Sequence, residues 1–268
     1  MKNMNTPIDP VIQSQILSQL KQIESDHSVA ILYACESGSR AWGFESRDSD
    51  YDVRFIYIRP RDWYLSIDLE KKRDVIELPI DDQLDINGWD ARKALKLFRK
   101  SNPPLLEWLG SPIVYIEPFE FASRLREISK THHASTGCAY HYLHMARGNF
   151  REFLKGDEVW LKKYLYVLRP ILAVLWIEKG LGVVPTEFQK LVDGTLEDPV
   201  LLSAIEGLLI RKKQGDEMKR GPKVPEISEF IERELTRLGE SSFNFESNPA
   251  PVEMLNDLFR GTLWEVWG

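Results

Sequence analysis

The chain has 268 residues, with 35 Lys and Arg against 41 Asp and Glu, a formal net charge of −6 and a sequence pI of about 5.5. At about 150 residues per domain this length allows one or two domains with a proper core, and 43% hydrophobic with 28% charged residues excludes a wholly disordered chain. The acidic balance excludes a protein whose whole surface attracts nucleic acid, though not one with a local basic groove.

Asp9 and Pro10, followed by Ile12, Ile16, Leu20 and Ile23, predict an N-terminal amphipathic helix. Residues 28–35 predict a buried strand, Ser37-Gly38-Ser39 a small-residue turn opening a short helix, and residues 51–58 a second strand. Residues 73–79 and 83–87 give two shorter strands around an acidic turn, and Asp90 caps a helix over 91–100 with Leu95 and Phe98 on one face. From Phe119 the spacing is helical almost throughout, over 121–131, 139–154, 159–179, 199–213, 227–238 and 252–264, with breaks at Gly and Pro clusters. Strands followed by a run of helices predict an α+β protein: a small mixed-sheet domain over 1–118 and a helical domain over 119–268, with the active cleft between them. The two parts carry net charges of −4 and −2, so the boundary rests on pattern and not on charge.

Cys35 and Cys138 are too few for a disulfide scaffold or a four-ligand zinc site, and their apolar neighbours predict buried thiols in a reducing compartment. Residues 1–10 contain no apolar run, and the longest apolar stretch, 172–177, is far short of a membrane span. A soluble cytoplasmic protein is the expectation.

The chemistry concentrates in residues 36–53. Asp50 and Asp52, two apart where a strand begins, project from one face. Close carboxylates favour a raised pKa or a bound cation, and hard oxygen ligands suit Mg2+. Upstream, Gly38 permits close backbone approach, and Ser39 and Arg40 offer hydrogen bonds to phosphate oxygens. No Lys-Ser/Thr follows the glycine, so this is not a Walker P-loop. A third carboxylate, Asp85, alternates with Leu84 and Ile86 and reaches the same metals if its strand lies beside residues 51–58. A phosphate cradle beside an acidic cluster predicts a site for a nucleoside triphosphate with magnesium.

Gly38-Ser39, ten intervening residues, Asp50-Tyr51-Asp52, then Asp85 on a later strand resembles the DNA-polymerase-β-like nucleotidyltransferase superfamily. Further segments resemble its RNA-repair-pathway DNA polymerase β branch: residues 38–43, 49–54 and 84–90, Lys100-Ser101-Asn102-Pro103, Leu106-Glu107-Trp108, Lys162-Lys163-Tyr164-Leu165-Tyr166 and Leu168-Arg169-Pro170. The resemblance runs from about residue 30 to 179. It implies two Mg2+ ions, both bound by Asp50 and Asp52 and the catalytic one also by Asp85. It implies NTP as substrate, ATP among the candidates, and NMP transfer to a hydroxyl, with an RNA end as the favoured acceptor. It also implies a covering helix with Lys162, Lys163, Tyr164 and Arg169 as nucleotide-binding residues, a Lys near the triphosphate and a Tyr near the base or sugar. The rival readings are an NMP transferase acting on a protein or small molecule, and a catalytically weak nucleotide-binding module of a repair complex.

Lesser signals keep two readings each. Arg92, Lys93, Lys96, Arg99 and Lys100 form a solvated helix face or a track for an RNA backbone. The run 211–223 is a solvated helix end and loop or a phosphate contact. His141 and His144 share a helix face for packing or for substrate. Trp42 and Trp89 stack on a base or lie buried. Pro170 kinks its helix or marks its start.

Overall fold

The computed structural model describes residues 8–46, 48–80, 83–214, 220–245 and 247–268. The acidic turn at Asp81 and Asp82, and residues 215–219 of the basic run, lie outside the described residues.

Helix α1 (Pro10–His27) starts where Asp9 Oδ1 accepts the Val11 N–H at 2.8 Å, with proline in its first turn. It buries Ile16, Leu20 and Ile23, each contributing about 1.5–3 kcal/mol. Ser28 closes it in the left-handed region, φ 51°, so strand β1 (Ala30–Glu36) begins two residues later than the spacing suggests. There follow α2 (Gly38–Trp42), β2 (Tyr51–Ile58), α3 (Arg61–Tyr64), β3 (Val75–Glu77) and β4 (Leu84–Asp90). Asp90 ends β4 and caps α4 (Ala91–Arg99) through its carboxylate on the Arg92 N–H. Asn102 caps α5 (Pro103–Leu109), and β5 (Val114–Ile116) completes the sheet.

The described sheet has the order β3-β4-β2-β1-β5, with β2 and β4 parallel and the other neighbours antiparallel. The period-2 alternation of β2 sends Val53, Phe55 and Tyr57 toward α1, and Ile56 and Ile58 to the opposite layer. That layer holds α4, α5, α6 (Phe121–Ser129) and a C-terminal helix.

The helical body contains α7 (Ser135–Phe153), β6 (Glu158–Trp160), α8 (Lys163–Glu178), α9 (Phe188–Thr195), α10 (Pro199–Lys213), β7 (Arg220–Pro222) and α11 (Pro225–Glu240). The spacing predicts one helix over 159–179, but Val159 pairs with Gly221 in a two-stranded ribbon and α8 starts only at Lys163. Pro170 lies inside α8 and does not start it. The last helix, α12 (Val252–Trp267), returns to the sheet, where Leu255 and Leu258 join Phe121 and Leu125 of α6 over Leu32 and Ile56. The sheet core is thus completed by residues beyond position 118. No helix among the described residues is long and apolar enough to cross a membrane. Cys35 and Cys138 are buried free thiols.

Candidate active site

The end of β1, the short α2 and the start of β2 bring the sequence motif together. Asp52 and Asp85 stand opposite one another in the parallel β2–β4 register, each side chain 29% exposed. Asp50 lies two residues before Asp52 and is exposed. Gly38 has φ +56°, and a Cβ there would overlap Asp52 Oδ2 and come within 2.8 Å of its Cγ. The glycine is required twice, by its backbone angle and by the carboxylate against it.

Arg54 follows Asp52 by two residues and so shares its face of the sheet. Its Nη2 donates to Asp52 Oδ1 at 3.1 Å and to Asp85 Oδ2 at 2.7 Å, and its Nη1 donates to the carbonyls of Asp85 and Val53. Burial pushes the Asp52 carboxyl upward, a shift that Arg54 opposes and Asp85 and Asp50 reinforce. Behind it, the fully buried Glu36 accepts the Asp52 N–H and the Tyr115 hydroxyl. Burial raises the Glu36 carboxyl to about 7.

The donor set consists of carboxylate oxygens, the chemistry that suits Mg2+. With Arg54 counted, the three carboxylates leave two formal negative charges at the site. Among the described residues no three His, Cys, Asp or Glu side chains converge as a ready-made metal cluster, and Arg54 fills the space between Asp52 and Asp85. The donors fit a divalent ion, with a resident guanidinium competing for two of their oxygens.

The other residues expected at the site divide. Ser39 is buried, 6% exposed. Arg40 donates to the carbonyls of Asp50 and Ser49 at 3.2 and 2.6 Å and lies 3.8 Å above the Tyr51 ring, bracing the approach to Asp50. Lys162 is exposed and Lys163 lies over the rings of Phe153 and Tyr166. Tyr164 is inside the helical body, its hydroxyl 2.6 Å from Ser228 Oγ. Arg169 is 1% exposed and donates to Glu107 Oε1 at 2.7 Å, beneath the Trp42 ring. Glu107 also accepts from Tyr142 and from Trp42 Nε1. This buried cluster ties α5, α7 and α8 to the end of α2.

Two residues that face the acids were not singled out by the sequence. Tyr166 packs edge-on against Trp42 and Phe44, and its hydroxyl is raised by burial with contributions from Asp52 and Asp50. Its position three residues after Lys163 places both on one turn of α8, a periodicity that points to it. Lys212 lies over Phe44 and Tyr166 although its neighbours Arg211 and Lys213 are exposed. Among the other signals, Trp89 stacks on Trp108 at 3.8 Å, and Arg92 and Lys93 are paired with Glu70 and Asp74. These two cations form a solvated, internally neutralised face. His141 is half-buried, and burial lowers its pKa.

A Gly-Ser turn against one strand carboxylate, with a second carboxylate in register on the adjoining parallel strand, defines a nucleotidyltransferase of the polymerase β type. The chain belongs to the RNA repair pathway DNA polymerase beta family, whose pattern matches residues 12–261. It is 48% identical over 257 residues to the uncharacterized protein YcgL of Bacillus subtilis (strain 168), covering 96% of this chain and 98% of that one. A nucleotidyltransferase-like protein from Exiguobacterium sibiricum 255-15, solved as a crystal structure, aligns over 82% of this chain and 75% of its own at 11% identity and a TM-score of 0.29.

Proposed function

We propose that the protein transfers a nucleoside monophosphate from an NTP, ATP among the candidates, to a hydroxyl acceptor, and that the acceptor is an RNA end in a repair reaction. The observation that carries this reading is the in-register pair Asp52 and Asp85 with Gly38 closed against Asp52. Asp50, Asp52 and Asp85 would hold two Mg2+ ions, which supply charge neutralisation and a lowered pKa for the attacking hydroxyl. Arg54 fixes the facing oxygens of Asp52 and Asp85, so those carboxylates are oriented before substrate arrives. Arg40 holds the backbone at Ser49 and Asp50 and thereby sets where the Asp50 carboxylate begins. Trp42, Phe44 and Tyr166 form an aromatic floor beside the acids. Tyr166, in place of Tyr164, is the tyrosine that would meet the base or sugar, with Lys162 and Lys163 at the phosphate side. The Glu107–Arg169 pair holds that floor from behind, so Arg169 serves position and not nucleotide contact.

The RNA acceptor draws support from the family description. Incubation of the protein with each α-labelled NTP, Mg2+ and a mixture of RNA ends tests the reading. Label on RNA is the expected outcome. Label on the protein or on a small molecule would move the acceptor to the rival class, and no label on any product would leave a nucleotide-binding module.

A further inference from the structure

Lys212 is in an unusual place for a lysine. It belongs to the last turn of α10, where Arg211 and Lys213 are exposed and meet the carbonyl end of the helix in the ordinary way. Lys212 is instead 7% exposed, with its ammonium 4.4 Å from the centre of the Phe44 ring and 5.5 Å from that of Tyr166. Among the described residues its ammonium has no carboxylate within ion-pair distance and no hydrogen-bond partner. The nearest charges acting on it are Glu45, Lys162 and Lys163, and burial lowers its pKa to about 8.

A buried cation without a partner is costly, and two aromatic faces offset only part of that cost. Two further lysines beside it add repulsion, so the group is poorly suited to stabilising the empty protein. It is well suited to receiving a compact anion of several charges. The position selects which anion. Tyr166 carries Lys212 and Lys163 over its ring, and its hydroxyl feels the charges of Asp50 and Asp52. The lysine cluster and the acidic cluster therefore meet at one side chain, as the two ends of a bound nucleoside triphosphate would require.

We propose that Lys212, with Lys162 and Lys163, forms the binding site for the terminal two phosphates of the NTP, the part that departs as pyrophosphate. This rests on the nucleotidyl-transfer reading above and adds a residue and a subsite to it. Lys212 is the anchoring member, because its ammonium is held by rings on both sides, and Lys162 is exposed and free to adjust.

Calorimetric titration of the full chain with inorganic tripolyphosphate and with AMP, in chelator and at fixed ionic strength, tests the site without metal and without turnover. Wild type should bind tripolyphosphate, and K212M should bind it about tenfold or more weakly, with AMP affinity unchanged. The unliganded K212M protein should melt at the same temperature as wild type or higher, since methionine places an apolar chain on Phe44 and Tyr166. K212Q repeats the comparison should K212M fail to fold. Equal tripolyphosphate binding by wild type and variant overturns the proposal, as does no tripolyphosphate binding by wild type. A variant that melts well below wild type and loses AMP and tripolyphosphate alike also overturns it, because that is a structural lysine. A wild type that binds tripolyphosphate through Lys212 yet transfers nothing from any NTP would instead overturn the functional reading and leave this anion site in place.

Discussion

A methyl group on Gly38 would press on the Asp52 carboxyl from 2.8 Å at a φ of +56°. The left-handed backbone alone costs a non-glycine residue about 1–2 kcal/mol, and the clash must move either the turn or the carboxylate. G38A should therefore lower both the melting temperature and the rate of transfer, the rate by more than the lost stability explains. Differential scanning calorimetry beside a transfer assay checks this. Lys212 makes a different prediction. Its ammonium titrates at about 8 in the folded protein against a usual value of 10.5, through burial first and then Lys162 and Lys163, with Glu45 opposing. Between those two values the unfolded chain binds the extra proton, so stability rises with pH there. The penalty is complete below pH 8 and lifts above it. Denaturant titrations of wild type and K212M across pH 8 to 10.5 should show a rise in wild type that the variant lacks.

At the scale of elements, α5, α7 and α8 meet the end of α2 through one buried ion pair. Glu107 accepts from Arg169, Tyr142 and Trp42, and Arg169 also donates to the Thr186 carbonyl. Removing one partner of such a pair leaves the other charge buried, which costs about 3–5 kcal/mol, whereas replacing both with apolar groups costs much less. E107Q and R169M should each destabilise strongly, and the E107L/R169M double variant should be more stable than the sum of the two single losses. A double-mutant cycle by denaturant unfolding measures the difference. This pair also shows where sequence reading ends. Caps are local, so Asp9 and Asp90 announce α1 and α4 correctly, and alternation along 84–86 places Asp85 away from the core. Arg169 reads as a charge on a helix and invites a nucleotide, because Glu107, which accounts for it, lies 62 positions away. Val159 reads as helical for the same reason, its strand partner Gly221 being equally remote. Arg54, by contrast, was legible: residues two apart on a strand share a face, and the carboxylates it joins were already marked.

Over the whole molecule, the chain does not divide where its pattern changes. The helices after residue 118 mostly build the second body, yet α6 and α12 cover the sheet with Phe121, Leu125, Leu255 and Leu258. A fragment of residues 1–118 should fail to fold cooperatively. Removal of residues 251–268 should lower the melting temperature of the remainder by about 10 °C, since it exposes the apolar layer over Leu32 and Ile56. Circular dichroism melts of the two truncations check both statements. The same arrangement places Phe44, which follows α2, in the core of the helical body, so the turn that carries Gly38 and Ser39 is held by both bodies at once.

The central claim is that Asp50, Asp52 and Asp85 form a nucleotidyl-transfer centre. Its most direct test is the transfer of labelled NMP from an α-labelled NTP by wild type, D50N, D52N and D85N, each first shown by its melting curve to be folded. The account predicts transfer by wild type and its loss in the folded D50N and D52N proteins, with a large decrease in D85N. Undiminished transfer by folded D52N would contradict it.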